Sequence, residues 1–342
     1  MFLNYINNLR GLVIIFIVGF HSFWLISWDT ESFLYDALSS FFKGSSAYFL
    51  FIAGFLFQHL LKNYQYQNYL KKKFQYVILP YLLISMPAII KQVFFATDSI
   101  FKDYPSYFQI PLYYLSGLHV SPFWFIPMIV LFYLCSPLFA YWDKKRGFYW
   151  VLPFLILLSQ IVLRRRGITF GEIDSLLSVL LAPLQSFVHF LSIYIFGMFC
   201  SHHKQALFEY LQRYIGWVVL AFFGLFGLEL FIAGNISYLE QNVNYFKNLL
   251  FLLLILYVFQ RYDGFLGKKL ALMGEMSFGI FFLHEYVNWV VWKAEKLLFG
   301  GVMAGSLLNY LLLLAVSLGF CMLLLSLVKR LFGRNSRLLV GY

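Results

Sequence analysis

Charge is scarce in this sequence. Asp, Glu, Lys and Arg make up 12% of its 342 residues, about half of the roughly 25% usual in soluble globular chains. With so little polar surface the chain cannot cover a water-facing exterior, and a soluble fold is excluded. Cysteine is nearly absent as well. Cys135, Cys200 and Cys321 fall at unrelated spacings inside apolar segments, which argues against a disulfide framework or a Cys-ligated metal and leaves them as packing residues. Internal repeats, low-complexity tracts and heptads are also missing. So is a signal-peptide layout, because the first apolar run holds the ionisable His21 and no small-residue cleavage site follows it.

What is present is apolar and aromatic. Hydrophobic residues reach 61% and aromatic residues 22%, with a mean hydropathy of +0.75. They come in long unbroken runs rather than in alternation, so the backbone groups must be satisfied within helices and not in a β-barrel. The expected fold is all-α: a polytopic integral membrane helical bundle with spans near 10–28, 39–61, 74–96, 122–142, 148–163, 176–200, 214–233, 247–262, 274–293 and 305–328. At roughly 20 residues each, these ten spans take up about 200 residues. That leaves no room for an independent soluble domain, and 1–342 reads as one transmembrane domain.

Seventeen of the 26 Lys and Arg residues fall on the side of the N-terminus and nine on the other. The positive-inside rule then places both termini in the cytoplasm and explains most of the net charge of +11. A nucleic-acid partner would need a basic, aromatic soluble surface, which this chain lacks.

A few polar residues interrupt the runs. Arg10 and His21 are eleven apart, so on a helix they differ by about 20° in azimuth and about 16 Å in depth. Ionisable groups at membrane depth usually face a polar pathway. The pair suggests an anion site at the cytoplasmic mouth with a proton acceptor deeper in; the plainer reading is a positive-inside anchor and an interhelical hydrogen bond. Ser277 and His284, seven apart, also share one face. Glu285 follows directly and could orient His284, although adjacent helical residues diverge by about 100°. Lys72 and Lys73, with Lys71, open the third span, either as a positive-inside signal or as contacts for an anionic cofactor. Trp124 begins the fourth span, where an interfacial belt residue is ordinary. Arg164, Arg165 and Arg166 lie on the outer side, where they either mark a misplaced span or bind an anionic partner. His59, His119, His202 and His203 lack the spacing of a zinc helix motif and His189 is isolated, so no metal site is expected.

Taken in order, these pieces resemble the membrane-bound acyltransferase-3 family, bacterial enzymes that O-acylate cell-surface sugars. The matching stretches are Arg10 through His21, the aromatic run Tyr48 to Leu56, the basic entry Lys73 to Pro80-Tyr81, Phe123 to Pro127 followed by Tyr133 and Pro137, and Ser277 to His284. Asn7 stands where the family often has Asp, Ala53 where Ser is usual, and Tyr76 where a second Arg is common.

The resemblance implies an O-acyltransferase, most often an O-acetyltransferase, in the bacterial cytoplasmic (inner) membrane. Its donor would be acyl-CoA, typically acetyl-CoA, with no tightly bound cofactor. Its acceptor would be a glycan or lipid-linked saccharide, and its further partners membrane lipids and other proteins of glycan biosynthesis. Arg10, Lys72 and Lys73 would then hold the CoA phosphates. His21 would act as base or acyl carrier, Trp124 and His284 would line or orient the cavity, and Trp124 with the Arg164 to Arg166 cluster would bind the acceptor. A transporter or flippase for lipid-linked glycan is the competing class, and a subunit without chemistry of its own is the third. Only the enzyme consumes a thioester.

Overall fold

The computed structural model describes residues 3–97, 100–161, 176–233, 237–263 and 267–342. Among them the backbone is helical, without strands. In chain order the helices are α1 (Asn4–His21), α2 (Phe33–Phe42), α3 (Ser46–His59), α4 (Tyr66–Lys73), α5 (Leu79–Phe94), α6 (Ser106–Ser116), α7 (Phe125–Leu134), α8 (Ser136–Asp143), α9 (Leu152–Ile161), α10 (Leu176–His202), α11 (Lys204–Ile232), α12 (Ser237–Arg261), α13 (Lys268–Phe299), α14 (Leu307–Phe332) and α15 (Ser336–Val340). Two compact units result: Met1–Phe49 with His203–Leu327, and Leu50–His202 with Val328–Tyr342.

Among the described residues six helical stretches are long and apolar enough to cross a bilayer: Phe33–His59, Tyr66–Phe94, Leu176–His202, Lys204–Ile232, Leu239–Arg261 and Leu307–Val340. A seventh is the pair Ser106–Ser116 and Ser121–Leu134, bent by 74°. Three expected spans remain. Of the one near 148–163, the described residues form the apolar helix Phe148–Gln160, and its last two positions lie outside them. α1 carries three asparagines, Arg10 and His21, while α13 carries Glu275, His284, Glu285 and Asn288, and those polar residues lower the hydropathy of the two helices. A count by apolarity therefore passes over the helices most loaded with chemistry.

In the first unit α1 is buried on nearly every side, through Ile6, Leu9, Val13, Ile14, Ile17 and Val18, with Asn7 and Asn8 buried among them. Phe16 packs on Phe41, Phe42, Tyr48 and Phe251. On the outside, α11 exposes Trp217, Leu220, Phe223 and Phe231, a surface suited to hydrocarbon and not to water. In the second unit a π-helical segment, Phe74–Ile78, joins α4 to α5. Pro80 has no N–H for the carbonyl four residues back and its ring crowds that carbonyl, and a π turn relieves the clash.

Candidate active site

The site rests on α1 and α13, which run parallel within the first unit. Their backbones approach closely because a glycine stands at each crossing point. A Cβ on Gly11 would collide with the Leu270 carbonyl, and one on Gly274 with the carbonyl of Asn7. Small residues permit such an approach between membrane helices. Polar contacts then follow the seam. The Asn7 amide donates to the Ala271 carbonyl at 2.9 Å, and Arg10 Nη2 donates to Ser277 Oγ at 2.8 Å.

Farther along, His21 Nδ1 lies 3.0 Å from Glu285 Oε1, with 15% and 14% of the two side chains exposed. An ionised carboxylate only accepts, so Nδ1 carries the hydrogen, and in the neutral ring Nε2 has the lone pair. The Trp24 indole N–H also reaches Glu285, toward which it can only donate. Asn288 Nδ2 donates to the backbone carbonyl of His21 at 3.2 Å, satisfying one of the carbonyls left open where α1 ends. The His284 ring centre is 5.2 Å from that of His21. Its Nδ1 faces the carbonyls of Phe281 and Ile280 at 2.7 and 3.1 Å, so Nδ1 donates. Its Nε2 is buried without a hydrogen-bond partner.

The sequence reading had offered Glu285 as the orienting acid for His284. The structure gives it to His21 instead, and His284 is oriented by its own helix. Adjacent side chains on a helix diverge, so the acid after His284 points to a different neighbour. Asn288 and Trp24 were not singled out from sequence. The signal for Asn288 was its place one turn after His284 on the same face; that for Trp24 was its place three residues beyond His21.

His21, His284 and Glu285 each offer a ligand atom, all within 4.8 Å of one another, the number of protein ligands in a catalytic zinc site. Spacing along the chain gives no hint of this grouping, because its members come from two distant helices.

The other candidates belong to the second unit. The Lys73 ammonium lies over the rings of Tyr133 and Tyr69, at 4.7 and 5.2 Å, and Lys72 is exposed. Trp124 stacks on Phe190 at 5.9 Å and 22°. Arg164, Arg165 and Arg166 lie outside the described residues.

A multi-pass, helical membrane protein that keeps a histidine and a carboxylate paired and largely buried belongs among membrane proteins with a polar functional site. The particular family follows from comparison: a family model described as an acyltransferase domain matches residues 3–326, and the chain belongs to the acyltransferase-3 family. It is therefore a membrane acyltransferase, transferring acyl groups other than aminoacyl groups. No curated protein and no solved structure matches it.

Proposed function

We propose that the protein is an O-acyltransferase of the bacterial cytoplasmic membrane. In this reading it moves an acyl group, acetyl in the first instance, from cytosolic acyl-CoA to a saccharide hydroxyl. The observation that supports a catalytic role for His21 is its 3.0 Å pairing with Glu285. His21 Nε2 takes the proton of the acceptor hydroxyl while the oxygen attacks the thioester carbonyl. The carbon–sulfur bond then breaks, and the departing CoA thiolate recovers that proton from the imidazolium. Glu285 holds the ring through Nδ1 and stabilises the positive charge that develops, as the acid of a catalytic triad does.

Arg10 is the cation of this unit offered for the donor's phosphates, and Lys72 and Lys73 are offered for the same chemistry by their charge alone. His284 presents the lone pair of Nε2 beside the base and can accept a hydrogen from a bound substrate or water. Nothing among the described residues favours the transport alternative.

Mass spectrometry of surface glycans provides the test, using cells that express the wild type, His21→Ala or neither, at matched membrane levels. An added acyl mass seen only with wild type is the expected result. Glycans that carry the same acyl groups in all three would end this reading.

A further inference from the structure

Beyond His21 the chain is held firmly. After Ser22 it enters a 3-10 turn, Phe23–Leu25, and Trp28 Nε1 donates back to the Phe23 carbonyl at 3.0 Å. Two backbone hydrogen bonds then clasp the segment to the chain that follows α13: Ser27 N–H to the Met303 carbonyl at 3.0 Å, and Gly305 N–H to the Ser27 carbonyl at 2.8 Å. Trp24 sits in this fixed turn with 44% of its surface exposed. Its ring meets Trp292 edge to face at 6.2 Å, and the Lys296 ammonium lies 3.8 Å from the Trp292 ring centre.

Tryptophan at the end of a membrane helix ordinarily marks the lipid interface, with its N–H turned to headgroups or water. Trp24 does otherwise. Its N–H reaches Glu285, the carboxylate paired with His21, while 44% of its surface stays open next to Trp292, the ring that the Lys296 ammonium covers. An electron-rich indole face attracts the positively polarised C–H groups of a sugar ring, and an ammonium group draws an anion.

We propose that Trp24, Trp292 and Lys296 form the acceptor platform, and that the acceptor is a saccharide carrying an anionic group. The sugar stacks on Trp24 and its carboxylate or phosphate meets Lys296, which sets a neighbouring hydroxyl near His21. Trp24 thereby has two roles: it binds through its ring and positions the base through its N–H. This inference rests on the acyl-transfer reading above.

The full chain in phosphatidylcholine nanodiscs is titrated with trigalacturonate and with the neutral maltotriose, reading tryptophan emission. Trigalacturonate quenches the wild type and maltotriose binds several-fold more weakly. Trp24→Leu and Trp292→Leu each weaken trigalacturonate binding by about fivefold, and Lys296→Gln removes the preference for the acid. Trp24→Phe keeps the ring and binds within about twofold of wild type, yet lowers acylation of host glycans because the N–H is lost. No quenching, quenching unchanged in the Leu variants, or a response to anionic lipid but not to either sugar would overturn the platform and leave an interfacial belt. Thioester consumption from acyl-CoA is followed in the same preparations. If it persists in the wild type while saccharide binding fails, only the platform falls; if it too is absent, the acyl-transfer reading falls.

Discussion

At the scale of single residues the decisive contact joins His21 to Glu285. In the proposed reaction the acid holds the ring through Nδ1 and offsets the positive charge that the imidazole acquires. Glu285→Gln keeps the shape and an accepting oxygen but removes the charge. Release of CoA thiol should therefore fall by about a hundredfold or more, with the KM for acyl-CoA little changed, as initial rates in membranes will show. A loss seen only in KM would point to donor binding instead. His21, His284 and Glu285 were each visible in the sequence as ionisable residues inside apolar runs. Their pairing was not, since the residue next to His284 in the chain turns toward a different helix.

At the scale of elements the parallel seam of α1 and α13 sets the geometry. Helical periodicity predicts that Arg10 shares a face with His21 and Ser277 with His284, but it cannot say that the two faces meet. Their register is set by Gly11 under Leu270 and Gly274 under Asn7, where the backbones touch. A side chain at either point pushes the helices apart along their length. Gly274→Val is expected to abolish transfer even though the side chains proposed to act are untouched, and to lower the apparent melting temperature in detergent. A milder change, Ser277→Ala, removes one acceptor of Arg10 at a cost of about 1 kcal/mol; its melting temperature should shift by no more than a few degrees.

At the scale of the whole molecule, stability depends on polar groups that a hydropathy profile treats as boundaries. Lys247 opens the expected span 247–262, one of the nine Lys and Arg residues that the sequence assigns to the side away from the N-terminus. In the first unit it is buried instead, with Nζ 2.7 Å from Glu229 Oε2 and 2% of each side chain exposed. It also donates to the Ser40 carbonyl, and Asn244 Nδ2 donates to the other Glu229 oxygen at 2.8 Å. Lys247→Met strands the Glu229 charge and should cost about 3–5 kcal/mol, whereas removing both charges together restores most of the loss. Thermal unfolding of the two variants in detergent, with the exposed Lys71→Met as a control, measures the difference.

The sequence alone determined residence in the membrane, the all-helical backbone and the family. Composition and helical period are sums over neighbouring residues, and they survive any rearrangement of the helices. Only the tertiary structure decided that Glu285 serves His21 and not His284, that Trp24 reaches the same carboxylate, and that Lys247 is paired at depth. Each of these contacts joins segments far apart in the chain, and each depends on where two helical surfaces come into register.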